Sequence, residues 1–149
     1  NRAFEFISAL THGFVLLPVG GGSDAVNPDD ESDTREIKTS KYELTKKGNE
    51  KSMGFTYNGT TRKPTLKEQQ EYCYDKIMRD EYHIWDMVDY EEGALVKSII
   101  IKNTEVWKLI WPKWEKSWYN TSNADPRIGG AVTTNELKKN KSVYEVINH

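Results

Sequence analysis

One cysteine, three histidines, five prolines and no long apolar run mark this 149-residue sequence by what it lacks. Cys73 alone cannot close an intramolecular disulfide, so a reducing compartment is expected, and its thiol reads as a small buried hydrophobe on a helix rather than a nucleophile. His12, His83 and His149 are too scattered to suggest a zinc cluster or a nucleophile–base pair. No stretch is long enough to span a bilayer and no secretory signal pattern is present, so the expectation is a cytoplasmic protein with no membrane partner. A charge excess is missing too: 21 Lys and Arg stand against 23 Asp and Glu, a net charge of −2. By itself that balance argues against a nucleic-acid binder.

What is present argues for folding. Five Trp, eight Tyr and four Phe are spread through a chain that is 36% hydrophobic and long enough for one domain, residues 1–149, with a proper core. Charge is sorted by region. Five lysines between Lys38 and Lys51 face only Glu43 and Glu50, and Arg62, Lys63 and Lys67 follow. Lys102 to Lys141 holds eight basic residues, while acids gather in Asp24 to Glu36 and in Glu68 to Glu92. A DNA-binding face beside an acidic metal pocket has this distribution, and so does ordinary solvated surface charge.

Phe4 to Leu10 reads as the end of a helix stopped by Thr11-His12-Gly13. The chain starts inside that helix with neither a cap nor an initiator methionine, so an upstream segment is expected to be missing. Phe14 to Val19 is a short apolar run ended by three glycines, a buried strand feeding a flexible loop. Asn27-Pro28-Asp29-Asp30 signals a turn, and Thr34 to Thr39 alternates like a second strand. Tyr42 to Thr61 is polar, with turn or loop signals at Gly48-Asn49, Gly54-Phe55-Thr56 and Asn58-Gly59. Thr65 and Glu68 form a capping box for a helix to about Arg79 that buries Leu66, Cys73 and Ile77. Ile84 to Tyr90 and Ala94 to Lys102 read as antiparallel strands covering the sheet. Trp107, Trp111, Trp114 and Trp118 recur at helical spacing, a base-stacking platform or, more simply, a buried helix face, with Pro112 expected to break or kink the helix. A polar connector, 120–127, precedes a closing strand from Ser142 to Ile147.

Asp24 and Glu36-Ile37-Lys38 carry the chemistry. Two carboxylates suit Mg²⁺, a hard cation that takes oxygen ligands and keeps several waters. On a strand Glu36 and Lys38 project together, while Ile37 points into the core and offers its carbonyl to the metal. A hairpin would bring Asp24, on one arm, beside Glu36 and Lys38 on the other. Charged residues on a half-exposed strand give the same pattern by chance.

Leu17-Pro18 through Ser23-Asp24-Ala25-Val26, Glu36-Ile37-Lys38, Leu44-Thr45-Lys46, Gly54-Phe55-Thr56, Lys113-Trp114-Glu115-Lys116-Ser117-Trp118-Tyr119 and Pro126-Arg127-Ile128 occur in one order. In that order the chain resembles the PvuII-like type II restriction endonucleases of the PD-(D/E)XK nuclease superfamily. The resemblance implies an α/β, restriction-endonuclease-like fold with a mixed central β-sheet flanked by helices. It also implies a Mg²⁺-dependent, sequence-specific endonuclease of double-stranded DNA acting as a homodimer. Asp24 and Glu36 would hold the metal with the Ile37 carbonyl, and Lys38 would serve the attacking water as base or electrostatic clamp. Lys41, Thr56, Asn58, Thr60, Asn123, Asp125 and Arg127 would contact DNA. The family's histidine-rich reading strand is replaced by Thr56-Tyr57-Asn58-Gly59-Thr60, and its paired asparagines by Ala124-Asp125, which implies a different target sequence. A repair or junction-cleaving nuclease on the same scaffold, or a DNA-binding module without turnover, are the alternatives.

Overall fold

A computed structural model describes residues 2–20, 22–121 and 127–149. Its elements run α1 (Arg2–His12), β1 (Val15–Leu16), β2 (Ala25–Asn27), β3 (Asp30–Lys41), β4 (Gly54–Thr61), α2 (Leu66–Met78), β5 (Tyr82–Asp89), β6 (Ala94–Lys102), α3 (Asn103–Asn120), β7 (Arg127–Thr133), α4 (Thr134–Lys139) and β8 (Tyr144–Asn148). The architecture is mixed α/β. Six strands form one sheet in the order β1-β2-β3-β5-β6-β8, and β4 pairs with β7 in a separate two-stranded ribbon.

Among the described residues only β3 and β5 are parallel neighbours, in register from Arg35 opposite Tyr82 to Lys41 opposite Val88. Parallel strands cannot be joined by a tight turn, so a long crossover must leave the sheet and return. That crossover contains β4 and α2. Alternation along β3 then separates two environments. Ile37 packs with Ala9, Ala25 and Ile84 under α1. The larger core, on the other face, joins Phe55, Tyr57, Trp85, Ile99, Ile110 and Trp114 with Cys73 and Ile77 of α2.

Several local expectations need correction. Residues 54–61 are a strand, not a loop: Phe55 and Tyr57 are buried while Thr56 and Asn58 point out, and that period of two outweighs the glycine signals. Leu66 is only half-buried, and Gln69 takes the core position on α2 with Cys73 and Ile77. Gln69 is tolerated there because its carbonyl accepts from Lys63 N–H at 2.6 Å. Thr65 does cap α2, accepting from Glu68 N–H at 3.2 Å, but both bonds of a capping box occur at α4, between Thr133 and Glu136. The pair β5–β6 lies within the sheet rather than over it. Pro112 does not break α3, whose 18 residues run through it. Ile110 and Trp114, buried on either side, hold the helix although one amide is missing. The most buried line of α3 is Val106, Ile110 and Trp114; Trp107, Trp111 and Trp118 pack at its rim.

Candidate active site

Asp24 is fixed before its side chain is considered. Its N–H donates to the Arg35 carbonyl at 2.9 Å and its carbonyl accepts from Leu17 N–H at 2.8 Å. Ala25 pairs with Arg35, so continuing that register by one residue sets Asp24 against Glu36. The β2–β3 hairpin thus does what the turn at Asn27-Pro28 predicts. Asp24 Oδ2 accepts from Ile37 N–H at 2.8 Å, which ties the acid to the backbone between Glu36 and Lys38. Lys38 Nζ lies 3.1 Å from Glu36 Oε1, so both side chains share one face of β3. Arg79, at the end of α2, approaches Glu36 Oε2 at 3.4 Å.

Asp24 and Glu36 open into a cavity of about 530 Å³ whose other wall is Tyr72, Asp75, Lys76 and Arg79 of the α2 segment. Those four residues are missing from the sequence-based site. Their spacing at 72, 75, 76 and 79 places them on one helix face, a signal available once α2 is recognised.

Burial raises the Asp24 pKa from 3.8 to about 6, and the Glu36 charge adds to it. The Ile37 amide opposes the rise, Glu5 adds a little more, and Lys38 offsets some of it. A buried acid beside a second carboxylate is what a divalent cation would relieve. Among the described residues no three His, Cys, Asp or Glu side chains are arranged to hold a metal unaided. Mg²⁺ is one ion that a pair of acids can hold, because water, backbone carbonyl or substrate phosphate completes its octahedron.

Lys38 rests on a built floor. Its Nζ is 4.7 Å from the centroid of the Tyr57 ring. Tyr57 Oη is 2.7 Å from His83 Nδ1 and accepts from Trp85 Nε1–H at 2.7 Å, and His83 Nε2 is 3.1 Å from the Ile77 carbonyl. A carbonyl only accepts, so Nε2 carries the proton and Nδ1 of the neutral ring receives the Tyr57 O–H. Burial agrees on both counts: it lowers the His83 pKa and pushes that of Tyr57 well up.

Thr56 and Asn58 point outward from β4, and Asn58, Thr60 and Arg127 meet around a cavity of about 290 Å³ on the ribbon. Lys41 is not with them; it pairs with Glu43 at 3.4 Å and sits beside Tyr42, Asp89 and Glu91. Asn123 and Asp125 lie outside the described residues. Two histidines are less scattered than the sequence suggests. His12 and His149 place their rings 5.7 Å apart over buried Asp86, which accepts from Ser98 Oγ at 2.6 Å.

No helix among the described residues is long and apolar enough to cross a membrane. Comparison of the chain with protein-family models gives no match, and comparison with curated proteins gives none either.

Proposed function

We propose that this chain is a Mg²⁺-dependent, sequence-specific endonuclease of double-stranded DNA, a type II restriction enzyme built on a PvuII-like PD-(D/E)XK scaffold. One observation carries the reading: Asp24 and Glu36 line one cleft, with Lys38 3.1 Å from Glu36 on the same strand face. Asp24 and Glu36, with the Ile37 carbonyl, would hold the cation. Bound Mg²⁺ lowers the pKa of its water and neutralises charge developing on the phosphorus oxygens. Lys38 contributes from its Tyr57 floor, as a donor to the attacking water or a counter-charge to the phosphate. Lys76 and Arg79 outnumber Asp75 on the opposite wall, a balance suited to a polyanion.

Recognition falls to the ribbon. A two-stranded β-ribbon fits the major groove, and outward Thr56, Asn58 and Thr60 can address base edges while Arg127 reaches a base or phosphate. A homodimer would give each DNA strand its own acid pair. Phe6 and Leu10, four residues apart and exposed on α1, offer an apolar face for it. Incubation with long duplex DNA and Mg²⁺ tests the reading. Discrete fragments that vanish with EDTA support it; cleavage confined to branched or mismatched DNA points to a repair enzyme, and binding without cleavage to a recognition module.

A further inference from the structure

Asp80, just beyond the Arg79 cap of α2, is fully buried in the acidic stretch from Glu68 to Glu92. Its Oδ1 accepts from Ser23 Oγ and, at 2.7 Å, from Thr34 Oγ1. Ser23 immediately precedes Asp24, and Thr34 lies two residues before Glu36 on β3. Among the described residues Asp80 Oδ2 has no hydrogen-bond partner, but Arg79 Nε stands 3.6 Å away, and Arg79 also reaches Glu36. One buried carboxylate therefore touches the segments carrying both acids and neighbours the arginine that holds the second.

We propose that Asp80 is the positioning residue of the acid site: it fastens the Ser23-Asp24 segment to β3 and so sets the spacing of Asp24 and Glu36 for the cation. This rests on the metal-site reading given above. The physical case is one of rigidity. Backbone bonds fix Asp24 on β2–β3, but Gly22 and Ser23 precede that register, and a glycine gives up more backbone freedom on folding than any other residue. The Ser23 hydroxyl, bonded to a desolvated carboxylate that Thr34 ties to β3, restricts that stretch far more than solvent contacts could. A buried carboxylate is costly to keep, and at this position it supports ligands rather than packing.

Mn²⁺ binding to the purified protein, followed by EPR of the free ion, tests this alongside plasmid cleavage across a range of Mg²⁺. Asp80→Ala should weaken Mn²⁺ binding by ~10–100-fold, the usual effect of losing an outer-shell partner, and raise the Mg²⁺ needed for half-maximal cleavage in step. Asp80→Asn, which keeps an oxygen for Ser23 and Thr34, should retain binding within about threefold, a rescue that general loosening of the fold does not predict. Should Asp80→Ala fail to fold, Ser23→Ala and Thr34→Val remove the donors from the other side. Each should weaken Mn²⁺ binding by ~3–10-fold at unchanged circular dichroism. Wild-type Mn²⁺ affinity in folded Asp80→Ala, or in both donor variants, overturns the proposal while leaving the nuclease reading intact. A wild-type protein that binds no Mn²⁺ overturns both.

Discussion

Replacing Asp24 by Asn should stabilise the metal-free protein while abolishing cleavage. Asn keeps a side-chain oxygen for the Ile37 amide, so the hairpin retains its tie, but it never ionises. Wild-type Asp24 has a folded pKa of about 6 against an ordinary 3.8. A raised carboxyl pKa means that the folded state holds the proton more tightly than the unfolded chain. The wild type accordingly has full stability below about 3.8 and loses it as pH rises through about 6. At ~1.36 kcal/mol per pH unit the loss is about 3 kcal/mol; the carboxylate is partly open to solvent, which reduces it to about 1–2 kcal/mol. Urea unfolding in EDTA should therefore show Asp24→Asn about 1–2 kcal/mol more stable at pH 8 and level with wild type at pH 3.5. In melting temperature that is roughly 2–8 °C for a chain of this size. Excess Mg²⁺ should reverse the order, because it adds about 2.7 kcal/mol to the wild type at a hundred times its dissociation constant and has no acid pair to bind in the variant. Equal stability of the two proteins at pH 8 in EDTA, or an Mg²⁺ response undiminished in Asp24→Asn, would refute the buried-acid reasoning.

Lys38→Met should cut the cleavage rate by ~100-fold or more at saturating Mg²⁺ while leaving metal-induced stabilisation in place, read by single-turnover kinetics and thermal shift. Tyr57→Phe keeps a ring beneath Lys38 but leaves His83 Nδ1 and Trp85 Nε1–H unpaired in the core, a cost of about 2–4 kcal/mol in chemical denaturation. Ser98→Ala withdraws a bond from buried Asp86, whose second oxygen has none among the described residues, and should cost about 1–3 kcal/mol by the same measurement. Asn58→Ala should weaken binding to a cognate site by about 1–3 kcal/mol and nonspecific binding hardly at all, compared by fluorescence anisotropy in Ca²⁺.

Much of the acid site was legible in the sequence because it is local. A turn at Asn27-Pro28 and a period-two strand suffice to set Asp24 beside Glu36 and to put Lys38 on the same face, and the hairpin does so. The α2 wall was legible only in part. Its cap at Thr65 and its span were readable, but nothing along the chain says that the face carrying Asp75, Lys76 and Arg79 turns back over β3. The first strand of the ribbon reads as loop in the sequence because Gly54 and Asn58-Gly59 are strong local turn signals. The partner that makes them a strand, β7, is some seventy residues away.

Sequence alone determined the short-range items: the hairpin that sets Asp24 beside Glu36, the span of α2, and an antiparallel pair expected at 84–90 with 94–102 and found at Tyr82–Asp89 with Ala94–Lys102. Each depends on side-chain period or on turn residues within about a dozen positions. Tertiary structure alone decided that β3 and β5 run parallel, and the crossover this demands carries α2 over the acid pair. It also turned isolated polar residues into systems: Asp80 with Ser23 and Thr34, Tyr57 with His83 and Trp85, and Asp86 with Ser98 beneath two distant histidines. Buried polar groups must find partners wherever the fold places them, and sequence records the groups but not the meetings.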